Sequence, residues 1–117
     1  MHDYKKLTVW QKSIQFATEV YRSTSTFPKS EVYGLRSQIR SSVISINSNL
    51  AEGAGRNSQN EFRHFLHIAY GSACELDTQL IIAKNLGYLP KDEFVNLESE
   101  LQELQKMLYK LAKSTTH

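Results

Sequence analysis

From Phe94 to Leu111 the apolar residues fall at Phe94, Leu97, Leu101, Leu104, Leu108 and Leu111, in alternating steps of three and four. A strand would alternate every second residue, so this spacing is readable only as one face of a helix. A seam of leucines this regular has to be covered, and a heptad-like stripe is covered by other helices. The spacing predicts a helix over about 91–112. Pro90 stands before it, Asp92 and Glu93 lie in its first turn where the dipole favours acids, and the tail from Lys113 to His117 is expected to fray. Glu98, Glu100 and Glu103 lie off the seam and are expected to face water.

Three further windows carry the helical period. Leu7, Trp10, Ile14, Ala17 and Tyr21 make a stripe over about 8–25, with Thr8 and Gln11 spaced as a capping box. Val9, Phe16 and Val20 form a second apolar line on the same helix. That second line exceeds what one buried face needs and predicts contact on two sides. A helix over about 30–54 follows Phe27-Pro28, with Leu35, Ile39, Val43, Ile46 and Leu50 as its core. Lys29, Arg36, Arg40 and Asn47 line up beside that core, and Ile44 points away from it. Ser41, Ser42, Ser45 and Asn49 flank its other edge. Small polar residues are mediocre helix formers, so a close helix neighbour is expected there.

Gly53 and Gly55 are expected to end that helix. Ser58 with Glu61 is the capping box of the next, over about 58–86, which carries Phe62, Phe65, Leu66, Ala69, Ala73, Leu76, Leu80 and Ala83. Gly87 is its stop. Gly71 sits mid-helix at a cost of about 1 kcal/mol relative to alanine, for which close packing is the expected compensation. The chain therefore reads as one domain over 1–117, all-α, an up-down-up-down antiparallel four-helix bundle.

Charge is distributed unevenly. Met1 to Arg63 carries nine Lys/Arg against five Asp/Glu, and His64 to His117 five against seven. The net +2 does not by itself imply a polyanionic partner, but the asymmetry can create a basic face. Cys74 is the single cysteine, which excludes an intrachain disulfide and fits a reducing, cytoplasmic setting. No signal segment and no run of the roughly 18 apolar residues that span a bilayer is visible, so no membrane role is expected.

The nucleic-acid-binding candidates are Lys29, Arg36 and Arg40, with Arg56 and Arg63 near the next junction, since basic residues at i, i+4 can grip neighbouring phosphates. The alternative is pairing with Glu31, Glu52, Glu61 or the acids of a neighbouring copy. No base-reading motif is present, so binding would rest on phosphate and shape. Tyr33 and Tyr70 could stack bases, or else sit at the edge of the core with a wet hydroxyl. Val9, Phe16, Val20 and Ile44 are the candidates for an oligomer interface, unless the bundle buries them itself.

Catalytic and metal readings fare worse. Glu61 and His64 have the Glu-x-x-His spacing of di-iron bundles, but no second such pair exists, so no metal or cofactor is expected and His64 and His67 read as surface residues. Gly53-Ala54-Gly55-Arg56 is similar to a phosphate loop but follows a helix and lacks its lysine. Cys74 reads as a small packing residue. Glu75 and Asp77 would need partners, with arginines of the second helix plausible. No nucleophile with a base can be assembled, so the chain reads as non-enzymatic.

Leu7-Thr8-Val9-Trp10-Gln11, Phe27-Pro28, Tyr33-Gly34-Leu35, Ser45-Ile46, Asn49, Ala51-Glu52-Gly53, Arg56, Phe65, Ala69, Gly71-Ser72 and Glu75-Leu76 resemble, in order and spacing, the bacterial four-helix-bundle family of 23S rRNA intervening-sequence proteins. The resemblance spans about Tyr4 to Lys113, and the Ala51-Glu52-Gly53 segment with Asn49 is its most specific part. Members are sometimes labelled ribosomal proteins. The resemblance implies a homopentamer and no enzymatic activity. Through a related branch, the accessory protein of diversity-generating retroelements, it implies a basic surface for nucleic acid and a reverse transcriptase as partner. The resulting expectation is a homo-oligomer that binds RNA or DNA. The alternative is a protein-interaction scaffold with no nucleic-acid role.

Overall fold

The computed structural model describes residues 2 to 115. Four helices carry the fold: α1 (Thr8–Thr24), α2 (Leu35–Ala54), α3 (Gln59–Asn85) and α4 (Lys91–Ser114). Short 3-10 turns at Tyr4–Lys6 and Lys29–Glu31 precede α1 and α2, and no strand occurs among the described residues. Each helix packs on its chain neighbours and α4 closes against α1, with α2 on α3 the most extensive contact. Short connections then make consecutive helices antiparallel, the expected bundle. The leucine seam holds: Leu97, Leu101, Leu104 and Leu108 are all buried, beside Ile39, Val43, Ile46 and Leu50 of α2 and Leu66, Leu76 and Leu80 of α3.

The boundaries follow local chemistry. The Ser58 hydroxyl accepts the Glu61 amide at 3.1 Å and opens α3. Gly87, at φ +78°, closes it in a Schellman motif: its amide bonds to Lys84 O and the Tyr88 amide to Ala83 O. Elsewhere the expectations shift. No capping box forms at Thr8; the N-cap is Leu7, and the Gln11 side chain bonds instead to Lys5 O at 2.8 Å. α2 begins five residues later than its pattern indicated, because the Glu31 carboxylate accepts the Leu35 amide at 2.9 Å and so caps the helix at that point. α4 runs on through Ser114, and the Thr115 hydroxyl and amide both bond to Ala112 O, so the tail is held that far. Thr116 and His117, also expected to fray, lie outside the described residues.

The α2–α3 contact depends on small residues. The Ser45 and Ser72 hydroxyls meet at 2.7 Å, Ser42 donates to Glu75 at 3.1 Å, and Asn49 bonds back to Ser45 O. Gly53 does not end α2. It is buried in the last turn, where a Cβ would stand 2.7 Å from Phe65 Cβ, and Gly55 is the C-cap. Gly71 does not pack closely, since a Cβ there would meet nothing within 4 Å.

Candidate nucleic-acid groove

The first correction concerns the interface candidates. Val9, Phe16 and Val20 are all buried inside the bundle, and of the four only Ile44 is exposed, at 43%. The face of α1 that turns inward is the Val9–Ser13–Phe16–Val20–Thr24 face, while Ile14 and Tyr21 of the other stripe lie at the surface. A polar pair settles the choice. Asn47 Nδ2 donates to Ser13 Oγ at 2.8 Å, and Ser13 Oγ donates to Trp10 O at 2.7 Å. Buried polar groups need partners, and this rotation of α1 supplies one for Asn47 Nδ2, while Asn47 Oδ1 is buried without one. Asn47 therefore leaves the basic line and joins the core.

The five basic candidates form two groups. Arg36, in the first turn of α2, and Arg56, just past its C-cap, stand 20 residues apart, about 30 Å along the axis. Lys29, Arg36 and Arg40 gather where α1 ends and α2 begins, and Arg56 and Arg63 lie at the other end of the bundle, where α2 ends and α3 begins. Three of the five have partners within the chain. Arg56 pairs with Glu52 at 2.5 Å and lies over the Phe65 ring. Arg63 donates to Thr115 O at 3.0 Å and to Asn60 Oδ1 at 2.7 Å, which ties α3 to the end of α4. Arg40 donates from Nε to Thr24 Oγ1 and from Nη2 to Tyr21 O, both at 3.0 Å, with its guanidinium 4.4 Å from the Tyr21 ring centroid. Lys29 and Arg36 have no partner among the described residues.

Arg36 and Arg40 line one open groove of about 460 Å³ between α1 and α2, together with Tyr21, Val32, Ser37, Ser41 and Ile44. No acid lines it. The Arg40 guanidinium lies over the Tyr21 ring, and the two serine hydroxyls add neutral donors. The groove thus presents two guanidiniums, two hydroxyls and an apolar strip, donors of a kind that can bond an anion.

Sequence reasoning missed a second basic region. When the bundle is divided at its middle, the half holding the N-terminus and the end of α4 carries eight Lys/Arg against four Asp/Glu, and the other half six against eight. Lys106 and Lys110 on α4 were too far in sequence from Lys5 and Lys6 to be grouped with them; only the antiparallel topology brings them to one end. Tyr33 is 97% exposed, so it does not edge the core.

The acids do not behave as expected either. Glu75 bonds to Ser42 and not to an arginine. Asp77 on α3 faces Glu98 on α4, and Asp77 Oδ1 and Glu98 Oε2 are buried with no donor between them. Burial, then Asp77, pushes the Glu98 carboxyl from the ordinary 4.5 up to about 7. Glu100 is also raised to about 7, by burial and then by Glu19 on α1. Glu98 is half-buried, whereas Glu100 and Glu103 are exposed, as their place off the seam predicted. Cys74 is exposed and not packed. His64 and His67 are exposed as expected, and no group of three or more His, Cys, Asp or Glu stands where it could hold a metal ion among the described residues. No helix among them is long and apolar enough to cross a membrane.

The fold and the groove define a small antiparallel helical bundle with a basic, serine-lined channel on one edge. The chain belongs to the family of 23S rRNA-intervening sequence proteins, whose family model matches residues 5–110. It is similar in fold to a crystallised protein of unknown function from the S23 ribosomal protein family of Bacteroides thetaiotaomicron, with a TM-score of 0.82 and 24% identity over 91% of this chain and 99% of that one. No curated protein matches the chain.

Proposed function

We propose that this protein is a non-enzymatic, cytoplasmic homo-oligomer that binds RNA or DNA through phosphate contacts in the α1–α2 groove. The observation that carries the reading is Arg36. It is an unpartnered guanidinium beside Arg40 in an open groove that no acid lines. Lys29 precedes Val32 of the lining by three residues, in the 3-10 turn that leads into it. A surface arginine with no internal partner is free to form charge-assisted bonds with a phosphate. In a ring of five, the assembly that the family resemblance implies, five modest grooves would add by multivalency. The apolar surface left for such assembly is not the one first expected: Ile44 remains, and Ile68, Ile82 and Leu86 lie exposed along α3.

The test is fluorescence anisotropy of labelled RNA, single-stranded DNA and duplex DNA at two salt concentrations. Affinity should fall with salt and drop about tenfold or more for Lys29→Glu with Arg36→Glu. Affinity indifferent to salt, or intact in that variant, would sink the reading. The exposed isoleucines of α3 favour a second reading, a scaffold for a protein such as a reverse transcriptase. A pull-down with and without nuclease separates the two, since a partner bridged by nucleic acid is lost after digestion.

A further inference from the structure

Tyr33 is the most exposed large hydrophobic residue of the described protein, at 97%, yet the loop that carries it is tightly built. Glu31 organises that loop with both carboxylate oxygens. Oε1 accepts the Leu35 amide at 2.9 Å and Oε2 accepts the Tyr88 hydroxyl at 3.1 Å, while the Tyr88 ring packs 5.6 Å from that of buried Phe27. Gly34 is needed for this arrangement, since a Cβ there would stand 2.5 Å from Glu31 Oε1. An aromatic ring left in water forgoes the stabilisation of burial. On a capped, cross-braced loop the backbone under the ring is already ordered, so a stacking partner has to fix only the two side-chain torsions of Tyr33. Cations outnumber acids around it: the loop's one acid, Glu31, has both oxygens turned to the Leu35 amide and the Tyr88 hydroxyl, and Lys29 and Arg36 flank the ring in sequence without partners among the described residues.

The geometry points to Tyr33 as a base-stacking platform, so that the groove selects single-stranded over double-stranded nucleic acid. This inference rests on the nucleic-acid reading of the same groove. An unpaired base has a free face to stack on the phenol ring, and its phosphates would run toward Arg36 and Arg40; in a duplex both faces of each base are already stacked. Protein recognition is disfavoured by the composition of the groove that adjoins Tyr33 at Val32, where two arginines and two serines stand beside Tyr21 and only Val32 and Ile44 supply an apolar strip.

Tyr33 touches no core residue, so its variants should fold as the parent does. The full-length protein is titrated with a labelled oligothymidylate or oligouridylate of about 12 nucleotides, and with a duplex of equal length. The expected result is preference for the single strand, a loss of about tenfold or more with Tyr33→Ala, and retention with Tyr33→Phe and Tyr33→Trp. Quenching of the indole introduced by Tyr33→Trp on adding oligomer would report the stack directly. If Tyr33→Ala binds single strands as the parent does while Arg36→Glu does not, the platform is overturned and the phosphate reading stands. Equal affinity for duplex and single strand likewise overturns it. If the parent binds neither, both readings fall. Capture of a nuclease-resistant protein partner that Tyr33→Ala abolishes, in a protein that binds no oligomer, would make the ring a protein contact instead.

Discussion

Gly53 and Gly71 look alike in the sequence, each a glycine amid helix formers, and they require opposite predictions. A Cβ on Gly53 would strike Phe65 Cβ at 2.7 Å and Phe62 Cδ1 at 3.2 Å. Phe65 Cβ is tied directly to the α3 backbone, so the helices themselves would have to separate. Gly53→Ala is expected to lower stability by about 1–3 kcal/mol in urea unfolding. A Cβ on Gly71 meets nothing, so Gly71→Ala should raise stability by about 0.5–1 kcal/mol through helix propensity and a less flexible unfolded chain. Periodicity shows that a glycine is helical but not what lies across from it, which is why Gly53 was expected to end α2 and close packing was expected at Gly71. Arg63 is a similar case. As a charge it read as a phosphate ligand, but its bonds to Thr115 O and Asn60 make it a brace for the end of α4. Arg63→Ala should cost about 1–2 kcal/mol of stability and leave nucleic-acid affinity unchanged, a split that denaturation and anisotropy read separately.

The four helices were legible because each has a long apolar stripe, and the leucine seam of α4 survived without change. How each helix is rotated was less legible, because that depends on neighbours. α1 offered two apolar lines, and the choice between them was made by Asn47 on a helix more than 20 residues away. α4 shows the same limit at its flanks. Glu98 and Glu100 lie just off the seam, where a lone helix would be wet, but α3 brings Asp77 against the first and α1 brings Glu19 against the second. Facing carboxylates can bond only when a proton is shared between them. Both glutamates are raised in the fold from 4.5 to about 7, so the folded state holds protons that the unfolded chain releases. Their contribution to stability is therefore fullest below about pH 4.5 and is lost as pH rises through about 7. Lys84 and Gln102 near Glu98, and Lys12 near Glu100, temper the shift without reversing it. Glu98→Gln supplies a permanent donor to Asp77. The variant should be more stable than the parent at pH 8 and no more stable at pH 4.5, with the difference seen in thermal unfolding across that range. A parent protein that gains stability between pH 5 and pH 8 by way of Glu98 would contradict the pairing.

At the scale of the molecule, the question is which end meets a polyanion. The half of the bundle with the termini has the larger excess of cations, eight against four acids, and net charge alone would favour it. Several of those cations are already engaged: Lys12 with Glu103, Arg56 with Glu52, and Arg63 with Thr115 and Asn60. The opposite half has fewer cations and more acids, but none of its acids lines the α1–α2 groove, and Glu31, next to Val32 of the lining, is turned to the Leu35 amide and the Tyr88 hydroxyl. At physiological salt a phosphate responds to charges within about 8 Å, so the local lining outweighs the total for a half-bundle some 20 Å long. Salt dependence can separate the two. If Lys29, Arg36 and Arg40 each meet a phosphate of a single strand, the logarithm of affinity against that of salt should have a slope of about −2 per groove, at about −0.7 per contact. Arg36→Ala should then reduce the magnitude of that slope by about 0.7, and Lys106→Ala with Lys110→Ala should leave it unchanged. Arg40→Ala should act like Arg36→Ala on the slope but also lower stability, because Thr24 and Tyr21 O lose their donor. If the α4 lysines carry the slope and Arg36 does not, then the contact lies at the terminal end of the bundle and the groove is not the site.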